Sequence, residues 1–137
     1  MPISDDLLAI AQEIQSFEAE GAALSDDWYR FERGTTEDLE QLKRLADQSF
    51  ARLTTLADRL QARLRQQHPG PERERLQHAY ELTQELLQSR AANRELLEDM
   101  LAPGDAQQYF EFFRALAIKE QAAKAQAEEL TQLLSSQ

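Results

Sequence analysis

The sequence predicts an all-α protein: four long amphipathic helices in an antiparallel bundle or coiled-coil arrangement, either closed within one chain or completed by dimerisation. Three observations predict it. Turn-forming residues gather at Gly34, Pro69-Gly70-Pro71 and Pro103-Gly104, with long stretches between them. Within those stretches apolar residues recur every three to four positions. No segment alternates apolar and polar over β-branched residues, as a half-buried strand would. Residues 1–137 therefore read as a single helical domain with helices over approximately 5–33, 36–67, 72–101 and 106–134. At ~1.5 Å per residue each helix is roughly 40–50 Å long.

The first helix opens with Ser4 as cap and Asp5 and Asp6 in the first turn, where acids favour the positive end of the helix dipole. Its apolar series is Leu7, Ile10, Ile14, Phe17, Gly21, Leu24, Trp28 and Phe31. Spacings of three and four alternate without a break, which defines a heptad seam that needs a covering helix. Gly34 supplies the left-handed position that stops it, and Trp28 is expected to pack near that turn.

Thr35-Thr36-Glu37-Asp38 restarts the chain as a capped terminus. The second helix carries Leu39, Leu42, Leu45, Ala46, Phe50, Leu53, Leu56, Ala57, Leu60 and Leu64. This stripe is wider than a two-residue seam, so the helix should touch neighbours on more than one side. His68-Pro69-Gly70-Pro71 ends it, because proline cannot continue the hydrogen-bond ladder and biases His68 away from the α region.

The third helix begins at Pro71-Glu72, proline being suited to a first turn. Leu76, Ala79, Tyr80, Leu82, Leu86, Leu87, Leu96, Leu97, Met100 and Leu101 form its apolar set. In the middle, Gln88, Ser89, Arg90, Asn93 and Arg94 place polar groups where the stripe should pass. Arg90 with Asn93 reads as a register-setting pair, a wet spot in the core or an open face; polar seam residues fix alignment at some cost in stability.

Asp105 and Gln108 cap the fourth helix. It opens with Tyr109, Phe110, Phe112 and Phe113, which cannot all face one neighbour, so core packing and a partner groove or dimer interface both remain open. Leu116, Ala117 and Ile118 follow, then Ala122, Ala123, Ala125, Ala127, Leu130, Leu133 and Leu134. Small residues bury little area, so the C-terminal half is expected to be held less firmly.

A net charge of −10 disfavours nucleic acid and anionic membrane surfaces, and no basic stripe offsets it. Seven acids and no Lys or Arg lie between Met1 and Tyr29, unlike a secretory signal. That acidic stretch reads as a solvated face or as a dock for a basic partner. No run approaches the roughly 20 apolar residues of a membrane span, and a cytoplasmic protein is expected. With 42% apolar residues the chain can build a core, and without cysteine it has neither disulfides nor thiolate sites.

Reactive constellations are equally sparse. His78 follows Arg75 at the spacing where a di-iron bundle needs glutamate, and His68 follows Arg65. Both read as turn or surface histidines, so no metal or other cofactor is expected. The serines lack a strained turn with a base, no glycine-rich phosphate loop occurs, and paired acids such as Asp26-Asp27, Glu98-Asp99 and Glu128-Glu129 diverge around a helix. The expectation is a non-enzyme that binds another protein.

The stretches "RFERGTTEDLEQLKRLADQSFARLTTLADRLQARL" and "LTQELLQSRAANRELLEDML" resemble the FlgN-type flagellar export chaperones, which hold hook–filament junction subunits before type III export. The resemblance spans about residues 5–101. It rests on Gly34 followed by Asp38, Leu39 and Leu42, and on Asn93 followed by Leu96 and Leu97. The chain departs at Asp47-Gln48, where the family often carries lysine, and in an aromatic-bearing fourth helix where many members have a glycine-bearing tail. The resemblance implies a groove that masks an amphipathic client helix. The broken third seam beside the aromatics nominates Leu86, Asn93, Leu97, Met100, Leu101, Phe110 and Phe113 for it. The alternatives are a self-associating coiled-coil adaptor or scaffold and an acidic regulator that sequesters a basic protein.

Overall fold

The computed structural model describes residues 5–31, 36–101 and 106–135, with side chains described for 6–26, 40–95 and 114–135. Four helices account for nearly all of this: α1 (Asp5–Phe31), α2 (Thr36–Gln66), α3 (Pro71–Leu101) and α4 (Ala106–Ser135). The expected caps at Ser4, Gly34, Thr35 and Asp105 and the breaker Pro103-Gly104 lie outside the described residues; the α2–α3 corner lies within them.

At that corner α2 stops two residues before His68, as the following proline requires. Arg73 of α3 reaches back and donates to the carbonyls of Leu64 and Gln67, the latter at 3.0 Å. A cation at the C-terminal end of α2 thus satisfies carbonyls that have no partner within the helix. Pro71 occupies the first position of α3, where no N–H is needed, and the Gly70 carbonyl accepts the Glu74 N–H at 3.1 Å.

Helices consecutive in sequence pack against one another, and α1 also packs against α4, so the ring of four closes within one chain. Cross-links give the register. Asp6 meets Arg59, Glu13 meets Arg52 and Glu18 meets Ser49, so α1 and α2 run antiparallel. Asp47 pairs with Arg94 between α2 and α3, and Glu120 with Arg90 between α3 and α4. Thr131 Oγ1 lies 3.5 Å from the Ala11 carbonyl between α4 and α1. The result is an up-down-up-down bundle, in line with the sequence expectation. The exposed bridges of Asp6 and Glu13 are worth at most about 1 kcal/mol each, so they mark register more than they create it.

Apolar burial supplies the stability. Leu7, Ile14, Leu53, Leu56, Leu60, Leu86, Leu130 and Leu134 are essentially inaccessible and belong to one cluster with Leu76, Leu82, Ala123 and Ala127. Each fully buried leucine contributes about 1.5–3 kcal/mol. Two expectations need correction here. The alanine-rich half of α4 is part of this main cluster, because Ala123 and Ala127 let α1 approach closely, as the Thr131–Ala11 contact records. The inner face of α1 also differs from the heptad seam: Phe17 and Leu24 are only half-buried, whereas Glu18, Ala22 and Ser25 are inside. Leu7, Ala11 and Ile14 recur eleven residues later as Glu18, Ala22 and Ser25. Eleven residues in three turns is 3.67 per turn, so this face drifts away from a 3.5-residue seam.

Candidate functional site: a buried charged layer

The leucine cluster lies on one side of a polar layer to which all four helices contribute. Glu18 comes from α1, Ser49 from α2, Arg90 and Asn93 from α3, and Glu120 from α4. Each is at most 3% exposed. Local sequence explains how they meet. In α4 the inward positions are Leu116, Glu120, Ala123, Ala127, Leu130 and Leu134, a clean three-and-four series in which Glu120 is the single charged member. In α3 the series Leu76, Ala79, Thr83, Leu86, Arg90, Asn93 carries the cation into the same level.

Arg90 is the hub. Its Nη1 donates to Glu120 Oε1 at 2.7 Å and its Nη2 to Glu120 Oε2 at 3.1 Å, a bidentate fork. Nη2 also donates to Glu18 Oε2, reaching across the bundle to the diagonal helix. Ser49 Oγ donates to Glu18 Oε1 at 2.6 Å, and Asn93 Nδ2 donates to Glu120 Oε1 at 3.3 Å. Among the described residues Arg90 Nε and Asn93 Oδ1 have no partner. Unsatisfied buried groups cost about 1–3 kcal/mol each, so the layer does not optimise stability alone.

Close approach requires glycine at one point. A Cβ on Gly21 would lie 3.0 Å from Glu120 Oε2 and 3.7 Å from a Leu42 methyl. Gly21 thus makes room for the Glu120 carboxylate beside α1, while its own carbonyl accepts the buried Ser25 hydroxyl at 2.8 Å.

Two carboxylates share one guanidinium, so the layer holds a formal net charge of −1 when all three are ionised. Burial pushes the Glu18 carboxyl above the usual carboxylate range; Arg90 opposes this, nearby Glu120 adds to it, and the hydrogen bonds from Ser49 and Arg90 favour the anion. Burial would lower the Arg90 pKa, but the two carboxylates more than offset that and hold it above its ordinary value. Next to the layer, the Arg94 guanidinium stacks 5.0 Å above the Phe50 ring and its Nε lies 3.0 Å from Asp47 Oδ1.

The nominated partner-binding residues separate into two groups. Leu86 belongs to the leucine core at 1% exposure, and Asn93 is inside the polar layer. Both point along the inward series of α3 and are covered while the helices stay closed. Asn93 and Arg90 do not form an open face either. The side chains of Leu97, Met100, Leu101, Phe110 and Phe113, and of Trp28, lie outside the described residues. The antiparallel register does bring the last turns of α3 and the first turns of α4 to the same end of the bundle, away from the α2–α3 corner.

Sequence reasoning missed Glu18, Ser49 and Glu120. A signal existed for Glu120, since Leu116, Ala117 and Ala123 at three and four residues from it are apolar and only Lys124 is polar. For Glu18 the eleven-residue recurrence of Leu7 would have been needed. Among the described residues no group of three or more His, Cys, Asp or Glu side chains could hold a metal ion. An open surface groove at the α2–α3 corner is lined by Arg73, Glu74, Gln77, His78 and Glu81; separately, His78 Nε2 lies 3.9 Å from Glu129 of α4, both half-exposed. Among the described residues no helix is long and apolar enough to cross a membrane. No family model, curated protein or solved structure matches the chain.

Proposed function

We propose that this chain is a non-catalytic protein-binding module, an export chaperone of the FlgN kind that masks an amphipathic helix of a secreted flagellar type III subunit in the cytoplasm. The sequence resemblance over residues 5–101 motivates this reading. The observation that carries it is a placement. The antiparallel register sets residues 96–101 of α3 and 106–113 of α4 side by side at one end of the bundle. Those two stretches contain Leu96, Leu97, Met100, Leu101, Tyr109, Phe110, Phe112 and Phe113, the densest run of large apolar residues in the chain. Apolar helix-in-groove docking needs such a concentration of anchors.

The layer itself is closed to solvent and suits helix alignment better than turnover. Closure of four helices within one chain also leaves α1 covered without a second copy, which favours a client-binding protomer over an oligomeric scaffold. Asp6 and Glu13 are engaged by Arg59 and Arg52, which weakens the case for α1 as a dock for a basic protein.

A pull-down with junction subunits tests the proposal. Phe110→Asp with Phe113→Asp is expected to abolish capture while circular dichroism shows the helices intact. Unchanged capture by that folded variant refutes this surface, and no capture by the wild-type chain refutes the chaperone reading.

A further inference from the structure

We propose that the buried Glu18–Arg90–Glu120 layer is a proton-operated latch, which binds one proton from solvent on Glu18 and thereby tightens the half of the bundle opposite the leucine core. The proposal is independent of the chaperone reading and stands on geometry first. Two carboxylates and one guanidinium are enclosed together at 1%, 1% and 3% exposure, so among the described residues one negative charge is left without a buried counter-charge. A net charge in a dry interior is costly, and one proton removes it.

The arrangement decides where that proton goes. Glu120 is held by both Nη atoms of Arg90 and by Asn93, three hydrogen bonds in all. Glu18 receives one Arg90 contact and one serine hydroxyl. Ser49 can turn from donor to acceptor, so a proton on Glu18 Oε1 finds a partner without any rearrangement of the backbone. The groups around Glu18 are few. Arg90 faces it from α3, Glu120 from α4, and Ser49 from α2. On α2, Asp47 pairs with Arg94 and Arg52 with Glu13 of α1, and on α1 itself Glu20 is exposed. None of these outer groups supplies the missing counter-charge from within the layer.

The layer also separates two unlike regions. The main leucine cluster, through Ile14, Leu53, Leu86 and Ala123, lies on one side. On the other side the buried apolar residues are Ala22, Leu42, Leu45, Ala46, Leu116 and Ala117, outside that cluster. Loss of the latch is therefore felt first in this second region.

The sign follows from burial. The folded-state pKa of Glu18 is raised, so its protonation stabilises the fold fully below the unfolded value, and that contribution is lost as pH rises through the folded value. Within that window the folding equilibrium constant attributable to Glu18 falls by up to about tenfold per pH unit.

Three measurements on the full chain test this. Carbon-13 NMR of labelled glutamate in the wild type should show one carboxyl, assigned to Glu18 by its absence in Glu18→Gln, titrating above the range of the other glutamates. Denaturant unfolding followed upward from pH 4, below the ordinary glutamate value, should show a wild-type loss of stability with rising pH that Glu18→Gln lacks. Amide exchange, corrected for intrinsic rates, should rise with pH in residues 40–46 and 114–118 more than in 53–60 and 123–134. A Glu18 carboxyl titrating with the others, or parallel pH profiles for wild type and Glu18→Gln, overturns the latch. Uniform exchange along the helices overturns its localisation to the second region. Assigning that carboxyl in the wild type by through-bond correlation to the Glu18 backbone lets the titration decide the matter even if the variant does not fold.

Discussion

Replacing Arg90 by methionine is the most informative perturbation of the bundle. Methionine keeps much of the aliphatic length but removes the guanidinium, leaving Glu18 and Glu120 buried together without a cation. Arg90 makes three hydrogen bonds to carboxylates, and charge-assisted bonds contribute about 1.5–3 kcal/mol each. Against that gross figure stands the several kcal/mol recovered when the cation no longer has to be buried. The net expectation is the loss of about 3–5 kcal/mol seen when one partner of a buried pair is removed. Domains are stable by only about 5–15 kcal/mol, so a large share of the total is at stake.

The assay is urea unfolding at pH 7 followed by circular dichroism, with the slope checked for two-state behaviour. The triple variant Glu18→Leu, Arg90→Met, Glu120→Leu serves as the control, because replacing all partners with apolar groups is often neutral or stabilising by about 1–4 kcal/mol. A loss under about 1 kcal/mol in Arg90→Met would show that the layer is not the desolvated network described. A triple variant as damaged as the single one would show that side-chain shape, and not charge, explains the effect.

Gly21→Ala normally gains about 1 kcal/mol of helix propensity, but here the new methyl meets the Glu120 carboxylate at 3.0 Å, and that carboxylate is fixed by Arg90 and Asn93. The substitution is therefore expected to destabilise the wild type, and a double-mutant cycle with Glu120→Ala should show the penalty relieved. Leu56→Ala, at a fully enclosed position, should cost about 2–5 kcal/mol in urea unfolding, whereas Ile118→Gln on the exposed side of α4 should change stability by less than about 0.5 kcal/mol. Equal effects at the two sites would contradict the assignment of inner and outer faces.

Much of the architecture could be read from the residues. The corner at Pro69-Gly70-Pro71 ends α2 and starts α3 within a residue of expectation, because proline acts on its own neighbours and needs no tertiary context. Over residues 42–64 of α2 and 76–86 of α3 the buried faces match the leucines for the same reason: spacing alone sets which side chains share a helix face. Leu86 shows the limit of that reasoning. It reads equally well as a groove residue or a core residue until the position of α4 is known.

The chain's own order of residues determined four rods, the α2–α3 corner at which they turn, and a leucine stripe on each, since these depend on contacts within a few positions. Only the tertiary structure decided that α1 turns Glu18 inward in place of Phe17, and that Arg90 lies within reach of it. The physical reason is distance along the chain: a glutamate is read as exposed unless its counter-ion is known, and here that counter-ion comes from a helix 72 residues away. Burial of such a charge depends on a partner that no local pattern can announce.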